Sequence, residues 1–105
     1  MHIPSEVRIL GLTYQVKIVR DLEVTIKPYI KPKKEQEAEY FGYFVPSILT
    51  IFLSELISPQ MQESTFIHEV IEVINCHLDL NMKHSDVNKL EAALYQVLTE
   101  NDLFN

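Results

Sequence analysis

The chain has 105 residues, a formal net charge of −6 and 47% apolar residues, which favours one domain, residues 1–105, with a hydrophobic core. The only cysteine, Cys76, excludes an intramolecular disulfide and a four-cysteine zinc site. No apolar run approaches the roughly 18 residues that a membrane span needs, and the first residues, MHIPSEVR, do not resemble a secretory signal. We therefore expect a soluble, cytoplasmic protein with no membrane partner.

The charge is distributed unevenly along the sequence. Residues 1–34 hold seven Lys or Arg and three acidic residues, whereas residues 35–105 hold two Lys and twelve acidic residues. Nucleic-acid binding requires clustered Lys and Arg, so the acidic C-terminal part predicts no nucleic-acid partner. Lys31, Lys33 and Lys34 lie between prolines and glutamates, which is typical of a solvated loop.

Alternating apolar residues predict strands in the first half of the chain. Residues 7–9 and 14–18 have the period of two short strands, with a turn at Gly11. Val24 and Ile26 predict a third strand, which ends before the next proline.

The segment at residues 40–53 is rich in aromatic and β-branched residues. Because Pro46 interrupts it, the segment is either a hairpin or one edge strand with a break. We expect the aromatic side chains of Tyr40, Phe41 and Tyr43 to be exposed, where they would suit a homodimer contact.

From Ser58 onward the apolar spacing is that of helices. Ser58 can cap a helix with Pro59 in its first position, and i, i+3, i+4 spacing then continues for about five turns. A connection at residues 79–84 leads to a second cap, predicted at Ser85 and Asp86, and to a second apolar stripe that reaches Leu98. Strands first and helices last predict an α+β fold, with N-terminal antiparallel strands followed by two C-terminal helices.

The first predicted helix carries a candidate metal site. At 100° per residue, His68 and Glu72 lie one turn apart on the polar face, and Glu69 lies to their side. Two ligands at i and i+4, with a carboxylate beside the first that can take a proton from water, form the geometry of a catalytic metal-binding helix. The same H-E-x-x-E string is also compatible with a solvated helix face.

On the second predicted helix, Glu91 lies at the edge of the apolar stripe. A carboxylate there is costly unless a partner satisfies it. If the helices pack as an antiparallel hairpin, Glu91 reaches the polar face of the first helix and can supply a third ligand. The alternative is a glutamate that extends to water from the helix border.

Other residues near this face have two interpretations each. His84 is either a further ligand or a residue of the loop or helix start, and Cys76 is either a thiolate near the metal or a small buried side chain. His77 lies on the apolar side and is expected to pack in the core or an interface. Asn75 and Asp79 share the ligand face and could support the ligands by hydrogen bonds.

Two strings, residues 65–75 (TFIHEVIEVIN) and residues 90–98 (LEAALYQVL), resemble small phage-associated relatives of the gluzincin metallopeptidases. In those proteins a strand layer precedes an active-site helix reading T-L-L-H-E-x-x-H, and a helix ending in L-Y-x-V-L supplies a glutamate as the third zinc ligand. The N-terminal pattern around Gly11 is similar too, so the likeness covers nearly the whole chain. The resemblance implies a minimal zincin-like domain, with His68 and Glu91 as metal ligands and Glu69 as the general base.

The chain departs from this pattern at Glu72, where active members have a second histidine; a subset of the phage relatives reads H-E-x-x-E. One His and two Glu leave bound Zn²⁺ with roughly no net charge instead of about +1, which activates water less and favours Mn²⁺ more. Two functions follow as expectations. One is a metal-dependent peptidase that takes an extended peptide along residues 48–53, and the other is an inactive zincin-like module that binds a protein partner.

Overall fold

The computed structural model describes residues 2–30 and 40–103, which form a four-stranded sheet with helices on both faces. The predicted loop lysines, Lys31, Lys33 and Lys34, lie outside the described residues. The strands are β1 (Glu6–Ile9), β2 (Leu12–Val19), β3 (Gly42–Val45) and β4 (Thr50–Ser54); the helices are α1 (Leu22–Ile26), α2 (Pro59–Leu78) and α3 (His84–Glu100).

The first two strands form the predicted hairpin. β1 and β2 pair antiparallel, with Ile9 opposite Leu12. Leu10 and Gly11 connect them with φ values of 52° and 82°. Two positive φ angles are what a type I′ turn requires, and Gly11 adopts such an angle without a steric cost.

The predicted third strand is wrong, because the segment forms the short helix α1. Leu22 and Ile26 are both buried, whereas Val24 between them is 69% exposed. Apolar residues at positions 22, 24 and 26 satisfy the strand period and the helical i, i+4 spacing at once. The helical conformation buries both Leu22 and Ile26 against Phe52 of the sheet.

Pro46 lies in a hairpin, one of the two predicted alternatives. β3 and β4 pair antiparallel, and a 3₁₀ turn at Pro46–Ile48 connects them. Tyr40 and Tyr43 are half-buried and contact each other edge-on, with ring centroids 5.8 Å apart, while Phe41 is exposed. The homodimer contact stays a prediction.

The sheet has the order β1-β2-β4-β3. The expectation of antiparallel strands needs one correction, because the central strands β2 and β4 run parallel. All five residues of β4 are buried, and β4 pairs with β2 on one side and β3 on the other. The sequence led us to expect an extended peptide along residues 48–53. That expectation is wrong, because β4 has a neighbouring strand on both sides. Among the described strands, the outer edges belong to β1 and β3.

The core lies mainly between the sheet and α2. Buried side chains from β1, β2 and β4 meet those of Phe66 and Val73 on α2; they are Ile9, Tyr14, Val16, Ile51 and Leu53. A smaller cluster between α2 and α3 contains Ile67, Ile71 and Val87. α2 is thus apolar toward both the sheet and α3, which leaves a narrow polar face for the candidate site.

The two C-terminal helices confirm the α+β expectation. Ser58 caps α2 as predicted, accepting a hydrogen bond from the Met61 N–H at 3.2 Å. α3 begins at His84, one residue before the predicted cap, because Lys83 occupies the N-cap position. Of the helices in the described part of the chain, none combines the length and apolar character that crossing a membrane would require.

Candidate metal centre

The polar face of α2 brings His68 and Glu72 together, as the one-turn spacing predicts. Their nearest atoms, His68 Nε2 and Glu72 Oε2, are 3.8 Å apart. Both side chains are largely buried, with 13% and 25% of their surface exposed. The pair therefore presents one nitrogen and one carboxylate oxygen to the same small space between α2 and its neighbours.

Glu91 on α3 reaches this face, as an antiparallel hairpin predicts. Its Oε1 lies 2.7 Å from His68 Nδ1, and its Oε2 accepts a hydrogen bond from the Ser64 hydroxyl. An ionised carboxylate can only accept hydrogen bonds, so this contact places the proton of His68 on Nδ1. In this tautomer the lone pair lies on Nε2, the nitrogen nearest Glu72.

His84 joins the pair from the first residue of α3. Its Nδ1 lies 4.0 Å from Glu72 Oε2, and its ring meets the His68 ring edge-on at a centroid distance of 5.2 Å. One ligand atom from each of His68, Glu72 and His84 lies within 4.8 Å of the other two. Of the two interpretations left open for His84, the helix-start position is confirmed, and the structure also places the side chain beside the candidate ligands.

Glu69 lies next to these residues and is 6% exposed. Among the described residues, no hydrogen bond or ion pair joins another side chain to its carboxyl. Burial, acting together with the nearby carboxylates of Glu72 and Glu91, raises the pKa of Glu69 to about 8. At neutral pH this carboxyl is therefore mostly protonated when no cation is present.

Gly42 on β3 makes room for Glu69. A Cβ at position 42 would lie 3.2 Å from the Cγ of Glu69 and 2.6 Å from the Cγ2 of Thr65. The absence of a side chain at Gly42 thus lets the edge strand pass close to α2 at the candidate site. Nothing in the sequence pattern assigned this role to Gly42, because the approach depends on tertiary packing.

Polar contacts hold α2 against α3 and against the connection that precedes α3. The Tyr95 hydroxyl donates to Glu63 Oε1 at 2.7 Å. Further along, the Asn75 side chain accepts from the Met82 N–H at 3.0 Å and donates to the Met82 carbonyl at 3.3 Å. Asn75 was expected to support the ligands by hydrogen bonds, but its bonds are to the backbone of Met82, two residues before His84.

Three further residues that the sequence placed near this face are Cys76, His77 and Asp79. Cys76 is free and exposed, so the alternative of a small buried side chain is wrong. The ring of His77 packs edge-on against buried Tyr14, and its Nε2 lies 2.6 Å from the Tyr14 hydroxyl, although the residue as a whole is exposed. Asp79 ends α2 in the left-handed conformation, with φ of 52°.

Sequence reasoning missed Ser64 and the Glu63–Tyr95 contact. Ser64 precedes His68 by one turn, and Tyr95 follows Glu91 by one turn, so helical spacing was the signal that could have found both. Comparisons with protein-family models, curated proteins and solved structures found no match to this chain.

Proposed function

We propose that the protein is a metal-dependent hydrolase of peptides, of the minimal zincin-like type that residues 65–75 and 90–98 resemble. The observation that carries this proposal is the pairing of His68 and Glu72 on one face of α2, with buried Glu69 beside them. An imidazole and carboxylates are suitable ligands for Zn²⁺, with Mn²⁺ as the alternative. A divalent cation there would polarise a peptide carbonyl and a water molecule, and would favour ionisation of neighbouring carboxyl groups.

The roles of the protein's own residues follow from their positions. His68 and Glu72 bind the cation, and Glu91 keeps the proton of His68 on Nδ1. Glu69 is the group suited to move protons, since its carboxyl lies beside Glu72 and its pKa of about 8 is close to neutral pH. It accepts a proton from the attacking water and passes it to the amine that leaves.

An extended peptide can be bound by the outer edge of β3. The Ser54 N–H donates to the Phe41 carbonyl at 2.9 Å. In this register the backbone groups of residues 41, 43 and 45 face β4, whereas those of Gly42 and Phe44 face away. Gly42 also adjoins Glu69, so a peptide added to this edge would pass beside the candidate centre.

The experiment is cleavage of a fluorogenic, unstructured peptide library by the metal-free protein after addition of Zn²⁺ or Mn²⁺. Loss of a general base typically costs about 10²- to 10⁴-fold in rate. We expect metal-dependent cleavage that Glu69→Gln reduces by that factor. Glu55→Gln is the matched control, because Glu55 is exposed and its nearest ion-pair partner is Arg20 at 4.0 Å. No cleavage with either metal, or cleavage that Glu69→Gln leaves unchanged, would contradict the proposal.

A different observation supports a second function, a protein-binding module without catalysis. Leu90, Leu94 and Val97 lie on one side of α3 and are each at least 40% exposed. Apolar stripes on exposed helices commonly mark binding surfaces for another protein. Metal binding by His68 and Glu72 with no peptide cleavage would favour this second function.

Within either function we place the protein in the cytoplasm. Cys76 is free and exposed, and thiols stay reduced in that compartment.

A further inference from the structure

We propose that His84, and not Glu91, completes the metal-ligand set with His68 and Glu72. This inference rests on the proposed metal-dependent function and names the residues that would hold the cation. It assigns Glu91 to a positioning role, in which it orients the His68 ring.

The contacts of Glu91 are those of an orienting residue. Its Oε1 is 2.7 Å from His68 Nδ1, and its other oxygen accepts from Ser64. Two ligands of a tetrahedral Zn²⁺ with bonds of about 2.0–2.1 Å lie roughly 3.3–3.4 Å apart, so a 2.7 Å contact is a hydrogen bond and not a ligand pair. Carboxylates that accept from the second nitrogen of a metal-binding histidine are common partners of such ligands.

The distances around Glu72 fit a metal-ligand set better. Glu72 Oε2 lies 3.8 Å from His68 Nε2 and 4.0 Å from His84 Nδ1. The two separations exceed the roughly 3.3–3.4 Å of a tetrahedral zinc site by about 0.4–0.7 Å. The exposed His84 side chain can close that gap by a small rotation, since 72% of its surface is in solvent.

The connection before α3 holds His84 in place. The Asn75 side chain binds both the N–H and the carbonyl of Met82, so the backbone two residues before His84 is fixed to α2. His84 is also the first residue of α3, which packs against α2 through buried Val87. The third donor therefore sits on a fixed backbone although its side chain is exposed.

This ligand set changes the charge expected at the centre. His68, Glu72 and His84 are two imidazoles and one carboxylate, which leave Zn²⁺ with a net charge of about +1. One imidazole with Glu72 and Glu91 would leave roughly zero. The histidine that the resemblance expects at position 72 is thus replaced by one at position 84, and zinc remains a well-suited metal.

The test measures Zn²⁺ affinity by calorimetry and the visible absorption spectrum of the Co²⁺-loaded protein. Removing a partner that orients a ligand costs about 10- to 100-fold in metal affinity. We expect Glu91→Gln and Asn75→Ala to lose affinity in that range while keeping the Co²⁺ spectrum. His84→Ala should lose more affinity and change the spectrum, because the number of protein ligands falls. His2→Ala, which removes an exposed imidazole outside the cluster, should match the unmodified protein.

The outcomes separate this inference from the proposed function. If Glu91→Gln alters the Co²⁺ spectrum while His84→Ala binds as the unmodified protein does, the inference is overturned and a peptidase with Glu91 as ligand remains. If metal binding depends on His84 but no peptide is cleaved, the inference holds and the proposed function falls. If the unmodified protein binds neither Zn²⁺ nor Co²⁺, both are overturned.

Discussion

Gly42 is the residue of the edge strand β3 that packs against α2 next to Glu69 of the candidate centre. Because a Cβ there would lie 2.6 Å from the Cγ2 of Thr65, a β-branched helical residue, Gly42→Ala must push β3 away from α2. Overpacking of this kind costs about 1–3 kcal/mol. We expect that loss in the free energy of unfolding, measured in urea, together with slower peptide cleavage because Glu69 and the edge of β3 separate.

Gly11→Ala is the control for this prediction. A Cβ at Gly11 meets nothing within 4 Å, but its φ of 82° disfavours any other residue. Gly11→Ala should therefore lower stability by a similar amount, about 1–2 kcal/mol, and leave cleavage unchanged. Unfolding of Gly42→Ala at the same urea concentration as the unmodified protein would contradict the close approach of β3 to α2.

Some site residues follow from the sequence and others do not. Helical period alone placed His68 beside Glu72, since both lie on α2 and their separation depends only on local geometry. The partnership of Glu91 with His68 followed once an antiparallel hairpin was assumed. The position of His84 could not be derived, because it depends on how residues 79–83 connect the two helices.

At the scale of elements, the contact between Tyr95 on α3 and Glu63 on α2 makes a prediction at high pH. Burial, together with its hydrogen bond to the Glu63 carboxylate, raises the pKa of Tyr95 to about 12. The folded-state pKa exceeds the ordinary value of 10.0, so the contact stabilises the fold fully below pH 10. Its contribution is lost as the pH rises through about 12.

The measurement is a titration of tyrosine ionisation by ultraviolet absorbance. We expect an ionisation step near pH 12 that is smaller in Tyr95→Phe, although Tyr14 and Tyr43, whose pKa values are also raised, still ionise at high pH. Tyr29→Phe, which removes an exposed hydroxyl, should leave that step in place. A step of unchanged size in Tyr95→Phe would show that the α2–α3 contact is not formed in solution.

Elements were predictable where one periodicity was unambiguous. The strands β1 and β2 and the long helices α2 and α3 each follow a single period, and their order gave the α+β class. The prediction of a strand in place of α1 was wrong because three apolar residues, at positions 22, 24 and 26, satisfy both the strand period and the helical i, i+4 spacing. The parallel pairing of β2 with β4 was missed because no local pattern distinguishes it from an antiparallel neighbour.

For the molecule as a whole, the proposed centre links metal binding to folding. Its donors come from the middle of α2 and the start of α3, and the unfolded chain does not hold them together. A ligand that binds only the folded state at 100 times its dissociation constant adds about 2.7 kcal/mol to the free energy of unfolding. Each kcal/mol corresponds to about 4–8 °C in a domain near this size.

We therefore expect the melting temperature in calorimetry to rise when Zn²⁺ is added and to fall again with a chelator. His68→Ala should have the same melting temperature with Zn²⁺ and with chelator, because the proposed ligand on α2 that Glu91 orients is removed. If the melting temperature of the unmodified protein does not change when Zn²⁺ is added, the result would argue against any metal centre on α2.

The parallel pairing of the two central strands also has a consequence for how the chain folds. Val16 pairs with Ile51, 35 positions later, so the middle of the sheet cannot form from neighbouring segments alone. Closing a loop of that length loses chain entropy before any contact compensates for it. The β1–β2 hairpin, the β3–β4 hairpin and the α2–α3 hairpin can each form locally. Joining β2 to β4 is therefore the step expected to limit the folding rate.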